Sequence, residues 1–502
     1  MIGDPGRTRI VVVGNGMAGA RVAEELRRRD PDQARVDVLV IGGEPHPAYN
    51  RILLSNVLAG SITARDTRLK PDGWWDRHGV VVRSGVHVTG IDVAARTVSC
   101  DDGSETRYDE LILATGSRSF LPPVAGAVHP DGTLADGVAA FRTIGDCERI
   151  VAAATPGGRA VVLGAGLLGL EAARGLLMRG MDVTVVHPKG FPMERQLDAG
   201  AGAVLVRVLT ELGMTMVLGR RAVARDGDAV VLDDGTRLPA DLLVLSAGIR
   251  PEVELARAAG LDVDAAIVVD DHLRTSAAHV SAIGECAQHR GEVYGLVQPG
   301  WEQADVVAER LAGQDRFARY DGTANVTRLK AHDIDLASMG EVDADLHCPH
   351  HEVLTVADPT RGRYAKLVVR DDRVVGAVLL GNPDVVGALT QLFDAQLPVP
   401  ADRMSLLIGR GGCGGGAEIA GPAVMPGSAV ICRCNSVTKA QLTASWKQGA
   451  RSVAAMAAAT RATTGCGGCG SAVQGICEWL RLSDPPEPDT HEERSIEEEG
   501  AA

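Results

Sequence analysis

A chain of 502 residues with 45% hydrophobic and 23% charged residues has a globular composition, is too long for one hydrophobic core and is sized for three or four domains. Its net charge of −14 argues against nucleic acid as the main partner, and no apolar run approaches the roughly 20 residues that cross a bilayer, so no membrane partner is expected. The N-terminus runs straight into a strand without a charged leader and cleavable apolar core, so the chain reads as cytoplasmic, a compartment in which clustered cysteines bind metal or do chemistry rather than form structural disulfides.

The first strong local pattern is RIVVVGNGMAGARVAEELRRR at 9–29. A buried strand from Ile10 to Val13 passes through Gly14, Gly16 and Gly19 into a helix whose Val22, Ala23 and Leu26 share one face. Glycines at these spacings permit a tight turn, close approach of a pyrophosphate and close helix–strand packing, while the helix N-terminus offers amide donors. A second strand, VDVLVIGGE, ends near Glu44, a carboxylate suited to an adenosine ribose. The pattern repeats in RAVVLGAGLLGLEAARGLLMRGMDVTVVH at 159–187, with Gly164, Gly166 and Gly169. Two units about 150 residues apart imply two dinucleotide sites, one for a resident cofactor and one for a nucleotide substrate. At the end of the second unit VVHPKG supplies His187 and Lys189 where NAD-selective proteins place a carboxylate, which removes a repulsion against a 2′-phosphate. The arginine signatures of strict NADP users are missing, and the reading favours NADH.

Between 321 and 410, alternating runs such as YAKLVVRDDRVVGAVLL predict the hairpins of an α+β domain. Cys100, Cys147, Cys286 and Cys348 are unpaired in sequence and read as buried or incidental thiols. HCPHH at 347–351 is read as strand, where adjacent ligands point to opposite faces, so no metal site is expected there. GRGGCGGGAEIAGPAVMPGS at 409–428 reads as a flexible linker carrying an incidental Cys413. Beyond it, Cys432-x-Cys434 and Cys466-x-x-Cys469 supply four thiolates from two loops, the second flanked by glycines that let backbone amides approach bridging sulfides. Cys477, in GICEWL, reads as a packed core thiol. Four cysteines also hold zinc, but zinc pairs open with C-x2-C or wider. Asp484 to Gly500 holds eight acids and one arginine and reads as a disordered acidic tail.

The two glycine fingerprints, with LILATGS at 111–117, LVLSAGIRP at 243–251 and VSAIGECA at 280–287, resemble flavoprotein reductases of the glutathione-reductase and rubredoxin-reductase type. More closely, EPHPAYNRILLSNVL at 44–58, MERQLD at 193–198 and YGLVQPGWEQA at 294–304 are similar to the FAD/NAD half of assimilatory NAD(P)H nitrite reductase large subunits and the related nitrate reductase electron-transfer subunits. The cysteine pattern resembles the bacterioferritin-associated-ferredoxin-type [2Fe–2S] domain that the same family carries after its flavin module; plant-type ferredoxin spacing is absent.

The resemblance implies an α/β fold of two Rossmann-like dinucleotide-binding domains, an α+β interface domain and a small helical [2Fe–2S] domain. The expected division is an FAD-binding domain at 1–118 and 251–320, an NAD(P)H-binding domain at 119–250, the interface domain at 321–410, a linker at 411–428, the cluster domain at 429–482 and the tail at 483–502. It implies FAD on Gly14, Gly16, Gly19 and Glu44, with Thr115 and Gly116 near it, Arg51 approaching the flavin, and Glu285 after Gly284 on the ribityl chain. Most relatives outside the nitrite-reductase group have aspartate at that last position. NAD(P)H would lie on Gly164, Gly166, Gly169 and His187, with Glu171 at the nicotinamide and, together with Arg51, the catalytic assignment. Cys432, Cys434, Cys466 and Cys469 would hold the cluster.

With no closely spaced redox cysteine pair between Met1 and Pro400, electrons are expected to leave through the cluster, which takes them singly after a two-electron hydride donation from the nicotinamide. The implied role is an electron-transfer subunit feeding a separate molybdenum nitrate reductase or siroheme nitrite reductase, with a homodimer possible. The siroheme cysteine pairs, C-x5-C and C-x3-C, are not in this sequence, so the chain is not expected to reduce nitrite alone. The competing reading is a stand-alone reductase of a ferredoxin or rubredoxin.

Overall fold

The computed structural model describes residues 6–329, 331, 333–345, 347–408, 422–423, 425–432, 435, 437–464 and 468–484. The chain divides into two compact units, residues 1–413 and 414–502. Cys413, most of the linker and the acidic tail beyond Asp484 lie outside the described residues.

In the first unit, strand Thr8–Val13 is flanked by Val36–Gly42 and Glu110–Leu113, with Val80–Ser84 and Val280–Ala282 at the two edges, all parallel. Ile10 to Val13 are all buried, as a strand covered on both faces must be. Helix Met17–Arg29 buries Val22, Ala23 and Leu26 and packs along helix Val297–Ala312. A second parallel sheet orders Thr215–Leu218, Asp182–His187, Arg159–Leu163, Leu242–Leu245 and Val138–Ala140. The two crossings between these folds pair as an antiparallel ribbon, Ser117–Ser119 against Ile249–Pro251. Because the chain leaves and re-enters by this ribbon, the first sheet is completed only by Val280–Ala282.

Residues 326–380 form an antiparallel sheet in the order Val326–Leu329, Leu336–Gly340, Arg373–Leu380, Arg363–Arg370, Glu352–Asp358, with helix Pro383–Ala395 packed on it. It meets the second nucleotide fold through Asp198, which accepts from Tyr364 Oη at 2.8 Å and Lys366 Nζ at 2.7 Å. HCPHH is not strand, as its reading assumed: residues 347–350 form turns around Pro349 and the strand begins at Glu352.

The second unit pairs Val430–Cys432 with Val437–Thr438 and follows with helices Lys439–Lys447, Val453–Thr460 and Gly470–Ser483. Its core gathers Leu442, Trp446, Met456, Val473, Ile476, Cys477 and Leu480, all buried. Among the described residues no helix is long and apolar enough to cross a membrane.

Candidate functional site: two glycine turns and a cysteine-lined unit

The two glycine turns are near copies. A Cβ at Gly14 would lie 2.2 Å from the Ala114 carbonyl oxygen, and one at Gly164 2.2 Å from that of Ser246, each at a φ near +110° that side chains avoid. A Cβ at Gly19 or Gly169 would lie 1.9 Å from the carbonyl oxygen of Gly14 or Gly164. The outer glycines are therefore demanded by the protein's own backbone. The middle ones are not: Gly16 and Gly166 have ordinary extended backbone, and nothing lies within 4 Å of a Cβ built on either. Each is the N-cap of a long helix with no side chain capping it. Open space, free helix-end amides and backbone at a close approach distance together fit a pyrophosphate.

Around the first turn, buried polar atoms lack partners within the protein: both side-chain atoms of Asn15, the Trp301 indole nitrogen and Gln303 Nε2. Gly284, at φ +78°, brings its segment against Ala18, whose Cβ would be 3.1 Å from a Gly284 Cβ, and its N–H is held by Gln303 Oε1 at 2.7 Å. Glu285 accepts from Ser117 Oγ at 2.7 Å and pairs with Arg142. Arg142, which sequence reasoning passed over, reaches from the second nucleotide fold and also donates to Ser117 Oγ at 2.6 Å. The signal for it was the capping box Thr143–Asp146, which fixes the start of helix Ile144–Ala153; the same Asp146 accepts from Arg142 N at 3.0 Å. Thr115 Oγ1 donates to the Glu252 carbonyl at 2.8 Å, and the Gly116 carbonyl accepts from Glu252 N at 2.9 Å, so this pair anchors the ribbon between the folds.

Glu44 stands just past its strand, accepting from Tyr49 Oη at 2.8 Å and from Arg51. Burial raises the Tyr49 phenol above its ordinary range and keeps it a donor. Arg51 also lies over the Tyr49 ring. Its guanidinium pairs with Glu44, the carboxylate seven residues earlier. Glu171 has other surroundings. Buried on helix Leu167–Met178, it lines a small cleft with Ser55, Asn56, Ser61, Arg174 and Ala331.

The end of strand Asp182–His187, where VVHPKG is expected to border the second nucleotide's ribose, carries an acid that the reading of those residues did not include. His187 is buried and held at both ring nitrogens: Nδ1 accepts from Ala165 N at 3.2 Å, and Nε2 faces Glu194 Oε2 at 3.0 Å. A carboxylate does stand there, delivered by MERQLD seven residues on rather than by the strand end itself, through a turn of the chain that strand spacing does not reveal. The same segment bonds Met193 N to the Ala165 carbonyl at 3.0 Å and offers the Gln196 carbonyl to Ser338 Oγ at 2.6 Å. Arg220 N donates to the His187 carbonyl at 3.2 Å, while its guanidinium pairs with Asp234 at 2.8 Å. Removing the Glu194 charge should relax nucleotide choice. Repulsion of a 2′-phosphate at partly screened range is on the order of 1–3 kcal/mol. Glu194→Gln is expected to raise the NADPH/NADH ratio of kcat/KM about tenfold, roughly 1.4 kcal/mol, in steady-state kinetics with both nucleotides; an unchanged ratio would move the ribose elsewhere.

In the second unit, Cys432 and Cys469 are buried, whereas Cys434 and Cys466 lie outside the described residues. Cys469 is the N-cap of helix Gly470–Ser483, and its sulfur accepts from Thr463 N at 3.2 Å. Thr463 holds φ +69°, an outlier for a β-branched residue, and Arg461 holds +65°. Asn435 ties the two cysteine loops together: its Nδ2 donates to the Arg461 carbonyl at 2.6 Å and Thr464 Oγ1 at 3.3 Å and lies 3.7 Å from Cys432 Sγ. Buried sulfurs that receive N–H donors suit a cluster whose potential depends on such bonds. Asn435→Ala is expected to lower the stability of this unit by about 1 kcal/mol, because the amide that ties the Arg461 carbonyl and the Thr464 hydroxyl to the first cysteine loop is lost, and to lower the cluster's midpoint potential. Thermal unfolding followed at the cluster absorbance and redox titration measure the two; a wild-type potential would show that Asn435 acts on the loops alone.

Residues 8–307 match the pyridine nucleotide-disulphide oxidoreductase family, more than half of the chain. The chain belongs to that family. Residues 326–394 match the rubredoxin NAD+ reductase C-terminal domain and 430–479 the BFD-like [2Fe-2S] binding domain. The chain is 38% identical over 438 residues to a nitrite reductase [NAD(P)H] of Bacillus subtilis (strain 168), covering 86% of this chain and 53% of the relative. It is 37% identical over 439 residues to an assimilatory nitrate reductase electron transfer subunit of the same organism, 86% of this chain and 54% of the relative. It thus spans about half the length of these curated relatives. The covalent putidaredoxin reductase–putidaredoxin complex aligns at a TM-score of 0.70 with 28% identity, covering 78% of this chain and 94% of that one. The cofactors of this set of domains are FAD, NAD(P)H and a [2Fe–2S] cluster.

Proposed function

We propose that the chain is an electron-transfer component that passes electrons from NAD(P)H through FAD and the [2Fe–2S] cluster to the catalytic subunit of a nitrate or nitrite reductase. The reading is carried by one observation: two open glycine turns of the same geometry share a unit, and the same chain carries a cysteine-lined unit of the BFD-like kind. When bound, FAD would supply the chemistry that matches a two-electron hydride donor to a one-electron cluster. The protein's part is positioning. Gly14, Gly16 and Gly19 cradle the FAD pyrophosphate. Glu44, held by Tyr49 and Arg51, takes the adenosine ribose. Glu285, held by Arg142 and Ser117 after Gly284, would accept from the ribityl chain. Gly164, Gly166 and Gly169 would receive the NAD(P)H pyrophosphate, with the His187–Glu194 pair at its ribose and Glu171 on the nicotinamide side. Cys432, Cys434, Cys466 and Cys469 would hold the cluster.

The two Bacillus relatives support the nitrogen-oxyanion destination, while the resemblance to putidaredoxin reductase supports transfer to a small carrier instead. Anaerobic reduction of the purified protein by NADH, followed by addition of acceptors in turn, separates them. Reoxidation by a molybdenum nitrate reductase or a siroheme nitrite reductase, with nitrate or nitrite consumed, is the expected result. Reoxidation by ferredoxin or rubredoxin alone would overturn it.

A further inference from the structure

The antiparallel third sheet carries a constellation that electron transfer does not use. Cys348 Sγ lies 2.8 Å from His351 Nδ1, and His351 Nε2 lies 2.9 Å from Glu341 Oε2. Arg370 Nη1 holds the other oxygen of Glu341 at 3.0 Å and stands 3.3 Å from His351 Nε2. The imidazole is largely buried, 11% exposed, while Cys348 is half-buried between the exposed His347, Pro349 and His350. Three elements bring the groups together: Glu341 follows Leu336–Gly340, Arg370 ends Arg363–Arg370, and the turn holding Cys348 and His351 enters Glu352–Asp358. The turn is closed by His351 N on the Cys348 carbonyl at 3.3 Å and Cys348 N on the Asp345 carbonyl at 3.1 Å. A nucleophile, a base on it and a carboxylate orienting the base is the arrangement of an activated thiol. The other described cysteines outside the cluster unit, Cys100, Cys147 and Cys286, are buried and have no such base.

Within its sheet the Cys348–His351–Glu341 constellation stands apart from the contact with the second nucleotide fold. The sheet meets the second fold at Tyr364, six residues before Arg370 on one strand, a run of roughly 20 Å.

We infer that Cys348 is a reactive thiol, with His351 as its base and Glu341 orienting the imidazole, that undergoes exchange with low-molecular-weight disulfides. Sγ attacks one sulfur of R–S–S–R while its proton passes to His351 Nδ1. The Cys348–S–S–R bond forms and the S–S bond of the small disulfide breaks. The departing thiolate takes the proton from His351, so one thiol and one disulfide enter and one thiol and one mixed disulfide leave.

The test incubates the full-length holoprotein with glutathione disulfide at pH 7 and follows the Cys348 peptide by mass spectrometry. The expected adduct forms at least tenfold faster than on a free cysteine peptide in the same buffer. His351→Gln and Glu341→Gln are expected to bring the rate to within threefold of that peptide, Cys348→Ser to give no adduct, and all three to keep NADH-dependent dye reduction, which reports the fold. Reaction at the free-peptide rate, an undiminished rate in His351→Gln, or stoichiometric zinc that shields the thiol and disappears in Cys348→Ser would each overturn the inference.

Discussion

Gly16→Leu is expected to yield a folded protein that purifies nearly colourless, with flavin content down at least tenfold. The reasoning is steric and one-sided. The residue has φ −83°, which leucine adopts freely, and nothing in the protein lies within 4 Å of a new Cβ, so the fold meets no clash. The N-cap loses at most about 1 kcal/mol. The added side chain instead fills the space beside the helix-end amides, where a pyrophosphate must approach to within hydrogen-bonding distance. The duplicate turn supplies the control: Gly166→Leu should keep its flavin and raise the KM for NADH at least tenfold. Gly19→Ala contrasts with both, since its Cβ would meet the Gly14 carbonyl oxygen at 1.9 Å and damage the turn itself. Absorbance at 450 nm relative to 280 nm, circular dichroism and NADH titration read these outcomes. A Gly16→Leu protein with stoichiometric FAD would remove the first turn from the cofactor site.

Cys469→Ala is expected to abolish the cluster and to reduce electron delivery to the physiological acceptor at least a hundredfold, with NADH-dependent bleaching of the flavin kept within twofold. Cys469 belongs to the 414–502 unit, whose core is its own, whereas both glycine turns belong to 1–413. Loss of a cluster ligand should therefore leave the hydride step intact, and small dyes should still be reduced. The same is expected of Cys466→Ser. Stopped-flow absorbance of the flavin and iron and labile-sulfide analysis are the measurements. Loss of flavin bleaching with FAD still bound would reverse the proposed order of carriers.

Much of this organisation is legible in the chain because it is enforced locally. The strand Ile10–Val13 and the glycines after it are dictated by near-neighbour sterics, and the same holds at 160–169, so spacing alone locates both turns. The face formed by Val22, Ala23 and Leu26 follows from helical periodicity. What escaped depends on contacts between distant segments. Arg142 crosses from one nucleotide fold to reach Glu285 of the other, and even the shorter Glu194–His187 and Arg51–Glu44 contacts depend on how a loop folds back. HCPHH misled because His, Cys and Pro carry no periodicity, and only the turn around Pro349 shows that Cys348 and His351 share a side. Asn435, one residue past a cysteine pair, was hidden for the same reason: its partners Arg461 and Thr464 lie in the other loop.

The six residues from Met193 to Asp198 set a rule for anyone who would re-engineer the nucleotide preference. Their first two positions hold the glycine turn and His187, while Gln196 and Asp198 receive Ser338, Tyr364 and Lys366 of the third sheet. A ribose-end loop grafted from another reductase would keep its specificity residues and lose its anchorage, leaving the Lys366 ammonium without its carboxylate. The segment has to be transplanted as one cassette with its acceptors on the sheet, because the chain has written the address of the substrate and the joinery of two domains into the same short word.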